Sequence, residues 1–298
     1  MKAMTLLAVG LFTVVYKNVK MDYFYRLFYT ALVSLIFFSC GKNEDLAILD
    51  NKIQQYYPLE LGQQRYYAVD SITYDFDGNT SSIRIDTHQY FQKELVNTVI
   101  QFTNAIWYVV EISTSESLDG DYLDHSIVLE RIEDNQRLLV KKGNLTFIPL
   151  VSYISLYDEW DGTAMFNKSA VEIFIEGEKI KPYENWNYQF IEILETVKID
   201  QNTYNNVWRI NQIDTSSINT TDNGGNPIQV KPEQQLFYNL ANEWYAPGRG
   251  LIKKEEIQLI SICASSSVNE YIDFCDTTTI FENAEQGYIY RKKLLKFE

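Results

Sequence analysis

The sequence predicts a mainly β protein built on a curved antiparallel sheet or half-barrel, and three observations predict it. Tyr and Phe are abundant, with 22 and 16 copies among 298 residues. Together with Ile and Val they suit pleated, half-buried surfaces better than helices. Short runs alternate apolar and polar positions between turn signals along most of the chain. No stretch after residue 56 has the 3.6-residue apolar period of a long amphipathic helix. With only 13 Gly and 6 Pro, the chain is neither collagen-like nor low-complexity.

Taken in order, Leu46–Gln55 is expected to form a short helix, capped by Asp45 and with Leu46, Leu49 and Ile53 on one face. Tyr57-Pro58-Leu59 ends it, because the residue before a proline is pushed out of the helical region. Strands are then expected at 64–74 and 81–90, flanking Phe76-Asp77-Gly78-Asn79, where Asp-Gly signals a hairpin turn. Ile83 and Ile85 alternate there with Arg84, Asp86 and His88, one face buried and one wet. Further strands fall at 105–113, 126–132, 137–142, 145–150, 171–175, 187–199, 207–213, 236–246, 251–263 and 287–297. In the first of these Ile106, Tyr108, Val110 and Ile112 share a face. The polar segment 215–227 reads as an exposed loop. Pro149-Leu150 followed by Trp160 echoes Pro58-Leu59, which suggests two related halves near 57–146 and 147–263.

The N-terminal region has a different character. Leu6–Tyr16 and Phe24–Phe38 are apolar runs, each shorter than the ~20 residues a comfortable membrane span needs. The second has Arg26 near its start and ends in Leu35-Ile36-Phe37-Phe38-Ser39-Cys40-Gly41. This resembles the signal peptide and lipobox of a bacterial lipoprotein, with Phe37 and Phe38 in place of the commoner Leu and small residue. The resemblance implies cleavage before Cys40 and lipid on its thiol. Met21 then marks the expected start, with residues 1–20 outside the native protein. Several acyl chains hold a protein firmly, since each buried CH₂ adds about 0.8 kcal/mol. Lys42-Asn43-Glu44-Asp45 resembles the export signal that sends such lipoproteins to the outer face of the outer membrane, the alternative being a periplasm-facing anchor. The expected organisation is thus a signal segment 1–39, a lipidated tether 40–56 and a β-rich extracytoplasmic domain 57–298.

Tyr57-Pro58-Leu59-Glu60-Leu61-Gly62, with Arg65 and Tyr67, resembles the Tyr-Pro-Leu-x-x-Gly-x-x-Trp-x-Tyr opening of uncharacterised Bacteroidetes lipoproteins, Arg65 replacing the Trp. Trp244-Tyr245-Ala246-Pro247-Gly248-Arg249-Gly250-Leu251-Ile252-Lys253 resembles their close, with Arg249 for the usual Val. The resemblance implies a curved sheet like the half-barrel of periplasmic lipoprotein carriers, and no established activity. Gly248 and Gly250 fit a loop that re-enters a strand through positive φ or close backbone approach.

Charge narrows the partners. The whole chain carries −14; residues 1–39 hold four of its 26 basic and one of its 40 acidic side chains, so the remainder carries −17. Such a surface repels phosphate backbones, which argues against nucleic acid. His88 and His125 are the only histidines, with no Cys or His at ligand spacing, so no zinc site and no cofactor is expected. Asp75-x-Asp77-Gly78-Asn79 has part of a calcium loop's pattern but reads as a turn. No G-x-S-x-G and no phosphate-cradling glycine loop occurs.

Five tryptophans invite a carbohydrate-stacking reading, with Trp160 and Trp186 the candidates because polar, turn-like residues surround them; ordinary core packing is the competing reading. With Cys40 lipidated, Cys263 and Cys275 are the two thiols left in an oxidising compartment. A turn at Ala264–Ser267 would set 271–275 beside 251–263 and bring the two within disulfide reach. Two buried free thiols are the alternative. These readings converge on a lipid-anchored envelope protein with a binding or assembly role, held to the membrane through Cys40, its partner a polysaccharide, a lipid or another envelope protein. The carrier-like version predicts an apolar concavity for acyl chains. The competing reading is an envelope glycan hydrolase, which needs two carboxylates roughly 5–10 Å apart in a cleft. The acidic pairs Asp158/Glu159, Asp119/Asp121 and Glu255/Glu256 are its candidates.

Overall fold

The computed structural model describes residues 53–77, 82–102, 105–152, 155–175, 178–215, 218–221, 227–230, 237–260 and 280–298. Cys40, Cys263 and Cys275, residues 40–52 of the tether, the turn at 78–81 and the centre of the loop at 222–226 lie outside them. Of the helix expected over 46–55, residues 53–55 are described and are helical, in α1, Ile53–Tyr56, while 46–52 lie outside the described residues. Beyond it the fold is the predicted curved antiparallel sheet, of twelve strands.

Six strands form the first half: β1 (Gln64–Asp77), β2 (Ser82–Phe102), β3 (Ala105–Ser115), β4 (Leu123–Glu133), β5 (Arg137–Lys142) and β6 (Leu145–Val151). The second half contains β7 (Glu159–Trp160), β10 (Tyr188–Ile199), β11 (Asn202–Asp214), β14 (Phe237–Ala246), β15 (Gly250–Ile260) and β16 (Gln286–Phe297). Two hairpins are inserted in that half, β8 (Ile173–Ile175) with β9 (Glu178–Ile180), and β12 (Ile218–Thr221) with β13 (Pro227–Val230). A short helix α2, Ile280–Asn283, precedes β16.

The strand order β6-β5-β4-β3-β2-β1-β16-β15-β14-β11-β10-β7 is a single meander joined to itself where β1 pairs with β16. The open seam lies between β6 and β7, and it is bridged: Ile148 N–H donates to the Gly162 carbonyl at 2.8 Å, and Trp160 Nε1–H to the Ile148 carbonyl at 2.8 Å. The sheet therefore rolls further than a half-barrel. Register shifts in the β1–β16, β2–β3, β3–β4, β5–β6, β10–β11, β11–β14 and β14–β15 pairs supply the bends.

A roll of about eight strands is filled by its own side chains, whereas twelve leave space inside. Part of that space is filled by a plug, residues 53–59. Ile53, Tyr56, Tyr57 and Leu59 are buried against Val96, Val110, Leu138, Phe190, Trp208 and Tyr245. The Tyr56 ring stacks on Trp208 at 3.7 Å between centroids, and its hydroxyl donates to the Asn206 carbonyl at 2.9 Å. The Gly248 N–H donates to the Gln55 carbonyl at 2.7 Å. Gly248 and Gly250 both have positive φ, +70° and +77°, as expected for the loop entering β15. A Cβ on Gly250 would stand 3.4 Å from the Tyr57 ring.

Three expectations are corrected here. The segment 215–227 is not all loop, since it carries β12 and the first residue of β13. Strand β2 does not stop at residue 90 but continues to Phe102 as one 21-residue strand. The division between halves falls after β6, and Pro149 lies inside that edge strand, where a missing N–H is tolerated. Pro58 sits in the plug, so the two Pro-Leu pairs occupy unrelated places.

Candidate functional site

The space above the plug is a cavity of about 760 Å³. Strands alternate their side chains, so each contributes every second residue to the interior. On β1 these are Arg65, Tyr67, Val69, Ser71 and Thr73, and pairing sets Arg65 opposite Glu94 and Ser71 opposite Tyr290. On β15 Lys254 and Glu256 point in, opposite Lys292 and Tyr290 of β16 and Glu243 and Ala241 of β14.

These positions bring two charged networks into the interior. In the first, fully buried Arg65 holds Glu130 at 3.0 Å and Glu94 at 3.2 Å. Tyr57 donates its hydroxyl to the other Glu130 oxygen at 2.7 Å, while Lys292 and Gln92 bind Glu94. The Arg65 guanidinium also lies 4.9 Å from the Tyr57 ring centroid, and the Lys292 ammonium 3.9 Å from that of Tyr67. In the second, Lys254 bridges Glu243 and Glu256, each at 3.1 Å. Tyr245 donates to Glu243 at 2.6 Å, and Tyr288 donates to Glu256.

Burial alone would raise the Glu94 and Glu243 carboxyls. The cations beside them, Lys292 and Arg65 for Glu94 and Lys254 for Glu243, override it and hold both below the usual carboxylate range. Burial pushes the phenols of Tyr57, Tyr188 and Tyr245 well above 10, so they stay protonated, and Tyr57 and Tyr245 donate to Glu130 and Glu243.

Lys142, at the end of β5, lines the same cavity. It forms no ion pair among the described residues, although Glu94 and Glu243, one from each network, both feel its charge. Crowding by the cavity wall, with the Lys254 charge next, brings its amine down to about 8, although the side chain keeps solvent contact.

The structure separates the two candidate tryptophans. Trp186 is only 5% exposed, packs edge-on against Tyr183 and Tyr188, and lines the cavity. Trp160 packs against the Tyr188 ring and closes the seam through its indole N–H. They share no outward face, because polar neighbours in sequence mark the turns and not the rings. His88 and His125 are exposed. Among the described residues no cluster of three or more His, Cys, Asp or Glu could hold a metal ion.

The three acidic pairs named from sequence form no facing pair in the cavity. Glu255 and Glu256 point to opposite faces of β15, toward Arg291 and Lys254 respectively. Asp119 and Asp121 are exposed. Asp158 accepts from the Ser155 N–H, and Glu159 is exposed at the seam. The acids that do share the cavity are Glu94, Glu130, Glu243 and Glu256. Each is engaged by a cation and, except Glu94, by a phenol. The expected concavity is present, and its lining combines apolar and aromatic side chains with seven charged ones.

Sequence reading missed this site for an identifiable reason. In Lys253-Lys254-Glu255-Glu256 no alternation shows which charges point inward. One signal was present: Arg65 is in phase with Tyr67 and Val69, and Lys292 with Leu294.

Fold and site thus define a rolled antiparallel sheet with an internal plug and a polar, aromatic cavity. No family model matches the chain, and no curated protein matches it. Among solved structures, an exported protein of Bacteroides fragilis with a YmcC-like fold aligns over 82% of this chain and 98% of its own, at 11% identity and a TM-score of 0.34. A lipoprotein of Parabacteroides distasonis aligns over the same shares at 10% identity and a TM-score of 0.31. Neither score is high enough to assign this chain a role from its neighbour.

Proposed function

We propose that this chain is a lipid-anchored protein of the bacterial envelope, tethered through Cys40, whose rolled sheet binds a saccharide. The observation that carries the ligand class is the cavity, where the rings of Trp186, Tyr183 and Tyr188 stand beside ion-paired carboxylates and ammonium groups. Sugars combine apolar ring faces with many hydroxyls, and such a lining meets both. About 760 Å³ lies within the range of small-molecule sites. An acyl chain would strip water from Glu94, Lys292 and Lys254 and return no hydrogen bonds, an unfavourable exchange. Hydrolysis is disfavoured too, because a general acid needs a raised pKa and Glu94 and Glu243 are shifted the other way.

A glycan array probed with the detergent-solubilised full chain, followed by calorimetry on the hits, tests this. Binding that Trp186→Ala weakens roughly tenfold, through lost stacking of about 1–1.5 kcal/mol, supports the reading. Binding of fatty acids with no saccharide bound would overturn it.

A further inference from the structure

Among the described residues, the cations of the two interior networks each have a carboxylate beside them, and one further cavity-lining ammonium does not. Arg65, Lys292 and Lys254 each have carboxylate partners within 3.2 Å. Lys142 has none among the described residues, yet it lines the cavity between the two networks. The charged groups facing it come from four strands: Glu94 of β2, Glu243 of β14, Lys254 and Glu256 of β15, and Lys292 of β16. Those three acids are already engaged by other groups, whereas the neighbouring ammonium groups add positive potential at the one amine left over. Lys142 is exposed to solvent along the cavity wall, so its ammonium is free to take an anionic ligand group through a charge-assisted hydrogen bond.

We infer that the saccharide bound in this cavity is acidic, its carboxylate pairing with the Lys142 ammonium while its rings lie against Trp186 and Tyr188. This rests on the saccharide reading above and names its class. The outer surface carries strong negative charge, which repels a long polyanion at range. At physiological salt that repulsion fades beyond about 8 Å, so a short acidic fragment is the species that enters.

Calorimetry with matched pairs tests it, using neutral oligosaccharides and their uronic-acid counterparts on the full chain at pH 7. The acidic member should bind at least tenfold more tightly, since a hydrogen-bonded ion pair exceeds a neutral contact by about that factor. Lys142→Met should remove the preference, read as the ratio of the two affinities, while Lys142→Arg should keep it. A second readout follows from the amine's position near pH 8. Binding a carboxylate there stabilises the charged form, so titration in buffers of different ionisation enthalpy should show proton uptake near pH 8, absent in Lys142→Met. Equal affinity for both members would overturn this inference and leave the saccharide reading standing. Failure of every saccharide to bind would overturn both.

Discussion

Replacing Arg65 by Met tests whether the first network holds the interior together. The guanidinium is fully buried, lies 3.0 Å from Glu130 and 3.2 Å from Glu94, and covers the Tyr57 ring. Without it Glu94 keeps Lys292 and Gln92, but Glu130 is left with the Tyr57 hydroxyl. An uncompensated buried charge costs about 3–5 kcal/mol. Met fills most of the volume, so the cavity contribution is small and the loss should fall in that range. Replacing Glu130 by Gln as well removes the orphaned charge. The double variant should therefore be more stable than the sum of the single losses, by roughly 2 kcal/mol or more. Urea unfolding followed by tryptophan fluorescence reads all three, because Trp208 sits under the plug on Tyr56. A loss below about 1 kcal/mol for Arg65→Met, or strict additivity in the double variant, would show that the pair is a solvated contact.

Five further outcomes are expected. Lys142→Met should stabilise the ligand-free protein: the amine sits at about 8 when folded against 10.5 unfolded, so its charge is a burden below pH 8 that fades between those values. The side chain keeps solvent contact, so the gain is discounted to about 1 kcal/mol, read from thermal melts at pH 7 and pH 10. Glu94 and Glu243 are held below 4.5, so their contribution is complete above that pH and lost as pH falls through the folded values; Glu94→Gln with Glu243→Gln should flatten the acid limb of a stability profile. Gly287→Ala should cost about 3 kcal/mol or more by chemical denaturation, because φ is +132° and a Cβ would overlap the Gln258 carbonyl across the β15–β16 pair. Radiolabelled palmitate should enter the wild type and not Cys40→Ala, and a non-reduced digest should join the Cys263 and Cys275 peptides; equal labelling, or free thiols at both, contradicts the respective expectation.

What the sequence determined by itself is the local part of the structure. Alternating patterns marked most of the strands, because an amphipathic strand must show a period of two whichever neighbour it meets. The gaps between the expected strands 126–132, 137–142 and 145–150 placed the tight turns, where Asp134 and Asn135, and then Gly143, take positive φ. The end of α1 before Pro58 follows from the same local sterics. Even the long β2 was visible in part and was cut short only because its outer half loses strict alternation.

The tertiary structure decided how far the sheet rolls, and with it everything about the site. Pairing of β1 with β16, two strands more than 200 residues apart, leaves no trace in a local window. Neither does the seam, where the same indole that looked like a sugar platform becomes a clasp. The roll turns one face of each strand into an interior, and only then do charges such as Lys254 and Glu256 differ from their neighbours Lys253 and Glu255. A charged side chain at a strand position is compatible with either face. Which face becomes the cavity depends on twelve strands closing around a plug, and that is a property of the assembled sheet.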